Sequence, residues 1–352
     1  MPSDRAANSD STADPRSIPD AELKARIRAE LARGFLWPSS LAAAAKPLYD
    51  LSGVMDLGKL ASVAAAVNNG KELGFTIVSK EYIQTGLNWI NAMQRLGLSN
   101  FFIVAGDRTT SEKLDERGIH SVRADIDEGA FDPSFVSHDG FSAKGLAMIA
   151  LKFPVINFLV KSGYSVTFSD ADAIWLDDPM AYMRGAGIAF QRVIYHPAPI
   201  ARVWGFTACS GFVSFRHNIN TIAFLDRCIV EQRSFRCDQV AMNVALLEED
   251  PDWHCEHDEW MLPASGIQHD RSSLEAAFVK CARSPIKGAL RQDRLEVLAL
   301  PHDKFWRHGV FPHSLADMVI CHPNSPKSDL EKMKIFDDMG LRFHPGIAVR
   351  RS

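Results

Sequence analysis

The 352 residues are 46% hydrophobic and 23% charged, enough for a buried core, which excludes wholesale disorder. Basic and acidic residues, 39 against 43, leave a net charge of −4, so no global basic field exists to hold nucleic acid or an anionic membrane. The 6 cysteines contain no CxxC pair, which argues against a zinc ribbon or a disulfide-dense scaffold and leaves reduced structural thiols as the reading.

In chain order, residues 1–20 are rich in Ser, Asp and Pro, lack the apolar stretch of a secretory signal, and read as a disordered tail. AELKARIRAELARGFL (21–36) has helical composition, Trp37-Pro38-Ser39-Ser40 breaks it, and Ala-rich segments run on to Asn69-Gly70. Residues 21–73 are therefore read as a helical N-terminal extension. From Gly74 the pattern changes, and 74–345 is read as the main domain.

GFTIVS (74–79) is an apolar run of strand length. Ile83, Leu87, Ile90 and Met93 then recur at helical spacing, with Gly97 as the C′ residue. FFIVAGD (101–107) is the next strand, Thr110–Arg117 a short helix closed by Gly118, and IHSV (119–122) a third strand. Strands alternating with helices predict a mostly parallel sheet with helices on both faces, and such sheets bind ligands at the carboxyl ends of their strands.

Gly145–Val160 is the most apolar later stretch, but Lys152, Pro154 and Asn157 interrupt it, short of the ~18 clean residues of a membrane span. With no span and no signal, the expected setting is cytoplasmic. Pro154 suits the first position of a helix that closes at Gly163, and SVTFS (165–169) follows as a strand. Further expected elements are a strand GFVSF (211–215), helices Asn218–Glu231 and Asp238–Glu249, strands EVLAL (296–300) and DMVIC (317–321), and a helix over Leu330–Met339.

The strand SVTFS ends in Asp170-Ala171-Asp172. Two aspartates one residue apart can hold one hard divalent cation, although acidic residues also commonly end strands as turn residues. Asp177-Asp178-Pro179 fits the second description. His322 also follows a predicted strand and is a candidate third ligand. Lys332, ten residues on, could neutralise a phosphate, although a lysine near the start of a surface helix is otherwise unremarkable. Lys152 interrupts an apolar segment, and Asp238-Gln239 opens a helix where acid favours the dipole. Trp253-His254-Cys255-Glu256-His257 looks like a metal cluster but lacks a partner pair, and HDKFWRHGVFPH (302–313) reads as a loop.

In order, these pieces resemble the nucleotide-diphospho-sugar transferase family, which includes plant cell-wall arabinosyl- and xylosyltransferases. GYSVTFSDADAIWLDDP is similar to its hydrophobic–SDxDxxWLxDP block. TIVSKEYIQTGLNWINAMQRLGLSNFFIVAGD resembles its opening strand–helix–strand, with the tryptophan at 89. SGFVSFR (210–216), DQVAMN (238–243), LPHDKFWRHGVF and HPNSPKSDLEKMKIFDDMGL resemble its later blocks, so the likeness covers about 74–341. Cys209, Pro323 and Arg342 depart from the family's pattern and put the acceptor side in question.

The resemblance implies a GT-A fold, Rossmann-like, binding a nucleotide sugar (usually a UDP-sugar) through Mn2+ or Mg2+. By position, Asp170, Asp172 and His322 would ligate the metal. Asp170, Ala171, Asp172, Lys332, Lys152 and Ser79 would line the donor, and Asp238, Gln239 and Lys152 would lie at the transferred sugar. The activity implied is a retaining hexosyl- or pentosyltransferase with an unspecified acceptor. Two alternatives remain at this level: a degenerate transferase that only binds a nucleotide or protein, and a phosphatase using the DxD aspartate.

Overall fold

The computed structural model describes residues 21–70, 72–132, 134–137, 140–255, 271–290, 294–307, 314–323 and 328–345. Three helices come first: α1 (Ala21–Phe35), α2 (Ser39–Ala45) and α3 (Leu57–Val67). Pro38 precedes α2, and the Asp56 carboxylate caps α3 by accepting from the Lys59 N–H at 2.9 Å. Ile27, Leu31, Leu60 and Ala64 from these helices enter the same apolar cluster as Phe75 and Phe168 of the sheet. Residues 1–20, read as a tail, lie outside the described residues.

The sheet begins with β1 (Glu72–Val78), α4 (Ile83–Arg95), β2 (Phe101–Ala105), α5 (Arg108–Asp115) and β3 (Ser121–Arg123). Next come α6 (Ala143–Ala150), α7 (Lys152–Lys161), β4 (Ser165–Ser169), β5 (Ile174–Trp175), α8 (Met180–Met183), β6 (Ile188–Val193), α9 (Ala198–Trp204) and β7 (Thr207–Phe215). The chain continues through α10 (Ile219–Ser234), α11 (Asp238–Glu248), β8 (Asp252–Cys255), α12 (Arg271–Lys280), β9 (Ile286–Ala289) and β10 (Glu296–Ala299). It closes with β11 (Phe305–Trp306), β12 (Ile320–Cys321) and α13 (Asp329–Asp338).

Nine strands form one sheet in the order β3-β2-β1-β4-β7-β6-β10-β9-β8. Only β7 and β9 run against the other seven, so the sheet is mostly parallel as expected. Its faces follow the period of two along each strand. On β2, Phe102 and Val104 join the cluster shared with α3, α7, α10 and α11, while Phe101, Ile103 and Ala105 join Trp89, Ile90 and Met93 of α4. Helices therefore cover both faces.

Three expectations need correction. Pro154 is the third residue of α7, not the first; α7 starts at Lys152, where the early N–H groups need no intrahelical partner and proline is tolerated. With α6 it makes a 19-residue run, Ala143–Lys161, long and apolar enough by length and composition to cross a membrane. Most of that run is buried inside the fold, where α7 packs on α10 and β4. The strand expected over 317–321 shrinks to β12, because Ser314 caps a 3₁₀ turn at Leu315–Asp317. The loop expected over 302–313 contains β11; residues 308–313 lie outside the described set.

β11, β12 and β5 form a second, three-stranded sheet in that order. It is too short to show periodicity in sequence, yet it brings the end of β4 to the C-terminal part of the chain.

Candidate functional site

Ser169, the last residue of β4, is fully buried, and its hydroxyl accepts from the indole N–H of Trp89 at 3.2 Å and of Trp175 at 3.0 Å. Two tryptophans thus fix the point at which the chain leaves the sheet. The Asp170 N–H donates to Gly211 O of β7 at 2.6 Å, and the Ala173 N–H returns to Asp170 O at 2.9 Å. Asp170 therefore stays beside β7 while Asp172 swings toward the small sheet. Ala171 packs against the apolar cluster of the α4 face.

The register of the small sheet delivers the third group. Cys321 pairs with Ile174 in antiparallel sense and with Trp306 in parallel sense, so His322 and Arg307 emerge at the same end as Asp172. His322 is 1% exposed, and its Nε2 lies 3.1 Å from Asp172 Oδ1 and 3.8 Å from Asp170 Oδ2. Its Nδ1 is 3.0 Å from Gln191 Oε1. Gln191 Nε2 donates to Trp306 O at 2.8 Å, which turns Oε1 toward the imidazole as an acceptor. That network assigns a proton to Nδ1; Nε2, facing the carboxylates, donates to Asp172 when the ring is protonated and offers its lone pair to a cation when the ring is neutral.

Asp170, Asp172 and His322 offer ligand atoms that all lie within 4.8 Å of one another. A Cβ at residue 211 would stand 2.3 Å from Asp170 Oδ2 and 2.5 Å from His322 Cε1, so only glycine leaves room for this approach. Two carboxylates and a neutral imidazole in such a cradle fit Mn2+ or Mg2+. The residues present therefore suit the metal that the family resemblance implies.

Cations surround the carboxylates. Lys152, 3% exposed at the start of α7, forms an ion pair with Asp238, lies 3.4 Å from Asp170 Oδ1 and donates to Ser210 O at 3.0 Å. Burial opposes its charge, yet Asp170 and Asp238 hold its pKa above the ordinary lysine value. Lys332 of α13 forms an ion pair with Asp172. Burial would raise the Asp172 pKa, but Lys332, His322 and Arg307 outweigh it and hold the group well below the usual carboxylate range. His322 is itself raised: burial and Arg307 favour the neutral ring, and Asp172 overrides them.

Asp238 and Gln239 open α11. Gln239 Nε2 donates to His196 O at 2.5 Å, and Asn243 one turn later clamps Ala208 of β7 by both its N–H and its carbonyl, at 2.9 and 2.7 Å. Ser79 follows β1, buried, at the same carboxyl edge of the parallel strands but without a hydrogen bond to the ligand cluster. Of the sequence-predicted residues, Asp170, Asp172, His322, Lys152, Lys332 and Asp238 are linked around one centre, Gln239 is turned to His196 O, Ala171 packs on the α4 face and Ser79 lies at the margin.

Gln191, Gly211, Cys209 and Arg307 were not singled out from sequence as site residues. Cys209 is 1% exposed; burial pushes its thiol up, but His322 and Arg307 hold it below the ordinary cysteine value. Arg342, a departure from the family's pattern, pairs with Asp337 at 2.7 Å away from the centre. In the WHCEH run, residues 253–255 belong to β8 and His254 pairs with Asp252 at 3.1 Å; Glu256 and His257 lie outside the described residues. A cavity of about 550 Å3 bounded by Arg95, Leu176, Lys304, Val319 and Phe343 sits at the opposite end of the small sheet.

A mostly parallel Rossmann-like sheet with a DxD and a histidine at its carboxyl edge defines a GT-A glycosyltransferase architecture. The nucleotide-diphospho-sugar transferase profile matches residues 96–331, and the chain belongs to that family. It is 27% identical over 179 residues to Arabinosyltransferase RRA2 of Arabidopsis thaliana, covering 45% of this chain and 40% of that protein. It is 26% identical over 323 residues to the UDP-D-xylose:L-fucose alpha-1,3-D-xylosyltransferase 3 of the same plant, covering 87% of this chain and 76% of that one. The chain thus spans about two-fifths of the first relative's length. Among solved structures it is similar to mouse xyloside xylosyltransferase 1 in its apo form, with TM-score 0.33, 12% identity, and coverage of 50% of this chain and 82% of that one. The apo bifunctional glycosyltransferase WbbM gives TM-score 0.35 at 14% identity, covering 51% of this chain and 38% of that one.

Proposed function

We propose that this chain is a metal-dependent, retaining glycosyltransferase that moves a sugar from a UDP-sugar to an acceptor hydroxyl. The carrying observation is the convergence of Asp170, Asp172 and His322 within 4.8 Å at the carboxyl edge of the sheet, with lysines on both flanks. The two relatives named for arabinosyl and xylosyl transfer make UDP-pentoses the first donors to try.

Asp170, Asp172 and His322 would hold Mn2+ or Mg2+, which when bound offsets the negative charge growing on the departing diphosphate. Lys332 would exchange part of its contact with Asp172 for a phosphate oxygen, stabilising the transition state more than the ground state. Asp238, paired with Lys152, would lie near the sugar as a fixed negative charge that favours an oxocarbenium-like centre. Because that carboxylate is engaged, attack by the acceptor hydroxyl from the side of the leaving group suits the site better than a covalent aspartyl intermediate. Gln239 commits its amide N–H to His196 O, which leaves Oε1 for the sugar. Ser79 would border the nucleoside. The cytoplasmic setting belongs to the same proposal; 6 free thiols suit a reducing compartment.

The test is a panel of nucleotide sugars with Mn2+, reading both nucleotide release and sugar transfer, beside Asp172→Ala. Metal-dependent donor binding that vanishes in the variant supports the proposal. Phosphate release without regard to the sugar donor, or normal turnover by Asp172→Ala, overturns it.

A further inference from the structure

Arg307 follows β11, and the parallel register of β11 with β12 sets it beside His322. Its Nη1 lies 3.5 Å from His322 O, and the side chain hydrogen-bonds Cys209 in the wall of the site. Its Nε is buried with no hydrogen-bond partner. A buried N–H without a partner is rare in a native fold and marks a group with unused binding capacity. Burial works against the charge, yet Cys209, Asp172 and Asp170 together hold the guanidinium above the ordinary arginine value. Lys152 and Lys332 each grip a carboxylate; no carboxylate among the described residues comes within ion-pairing distance of Arg307.

The charges of the cluster give this cation a purpose. Three carboxylates (Asp170, Asp172, Asp238) face three cations (Lys152, Lys332, Arg307), and His322 must be neutral to ligate, so the formal sum is zero. A divalent ion raises the sum to two positive charges, which matches the two negative charges of a sugar-linked nucleoside diphosphate. We infer that Arg307 is a diphosphate-binding residue of the donor site, using its planar N–H groups on a phosphate oxygen that neither lysine neutralises. The inference rests on the nucleotide-sugar reading above and adds to it a residue outside the DxD, histidine and lysine positions. Ion and diphosphate are then each held weakly alone and tightly together, because only the pair balances the cluster.

Calorimetry on the full chain tests this with Mn2+ alone, UDP plus Mn2+, and uridine plus Mn2+. Arg307→Gln is expected to lower UDP affinity roughly 10- to 100-fold, the loss of one charge-assisted hydrogen-bonding group, with uridine affinity held within about twofold and Mn2+ affinity unchanged or raised, because the variant leaves the cluster one charge more negative. Arg307→Lys, which keeps the charge and loses the planar fork, is expected to fall between. Unchanged UDP affinity in Arg307→Gln overturns the inference, as does an equal loss of Mn2+ binding, which would mean that Arg307 only supports His322. If Arg307→Gln fails to fold by its melting curve, Arg307→Lys decides by the same UDP titration. Wild-type protein that binds no UDP with Mn2+ sinks the nucleotide-sugar reading itself, a result distinct from wild-type binding that Arg307 does not influence.

Discussion

Gly211→Ala probes whether the metal cradle is set by backbone shape. The added Cβ would stand 2.3 Å from Asp170 Oδ2 and 2.5 Å from His322 Cε1, where ordinary contact begins at 3.4 Å. Each ligand must therefore retreat by about 1 Å, several times the ~0.2 Å tolerance of a metal–ligand distance. Asp170, 37% exposed, can rotate away, but His322 is 1% exposed and is tied by Gln191 at 3.0 Å. The imidazole can move only if that bond or the β12 backbone gives. The expected result is a loss of Mn2+ affinity of at least about tenfold, or ~1.4 kcal/mol. Overall stability should fall by about 0–2.5 kcal/mol, since overpacking costs ~1–3 kcal/mol and replacing a strand glycine returns ~0.5–1 kcal/mol. Titration calorimetry and a thermal melt on the same sample read both quantities. Unchanged Mn2+ affinity with an unchanged melting temperature would refute the steric argument.

Gln191→Met removes the acceptor that orients His322 Nδ1, and ion affinity should fall about 10- to 100-fold with the chain still folded, checked by Mn2+ titration and melting. Ion binding should also weaken as pH falls. Asp172 raises the His322 pKa above 6.5, a protonated ring cannot ligate, and so affinity is full above that raised value and lost below it. A pH series of Mn2+ affinity with its midpoint below 6.5 would contradict this. Asp329 accepts from the Gln84 and Thr85 N–H groups, both at 2.9 Å, and so caps α4 from the start of α13. Asp329→Ala should lower stability by ~1–2 kcal/mol, read by denaturant unfolding, and weaken UDP binding through displacement of Lys332.

What could be read from sequence was whatever stands at the end of an apolar run, even where the strand inside that run is short, as with the two residues of β12. Asp170, Asp172 and His322 stand immediately after apolar runs, and strand ends are where parallel sheets present ligands. Lys152 was conspicuous as a charge inside an apolar segment, and the structure gives it two carboxylates. Gln191 lies in the middle of β6, where a polar residue in a short run carries no signal until the partner across the sheet is known. Arg307 depends on the pairing of two-residue strands, β11 with β12, which no periodicity can reveal. Pro154 misled because its preference for early helix positions extends over several residues.

The order in which the chain supplies these parts has a consequence for its synthesis. All nine strands of the main sheet are present once residue 299 has emerged. At that point Asp170, Asp172 and Asp238 face Lys152 alone, because Arg307, His322 and Lys332 come later. A nascent chain can thus complete its scaffold while holding an excess of negative charge that nothing yet balances. The last segment supplies two cations, the imidazole and the cap on α4 together, so the candidate metal cluster is completed in a single late step.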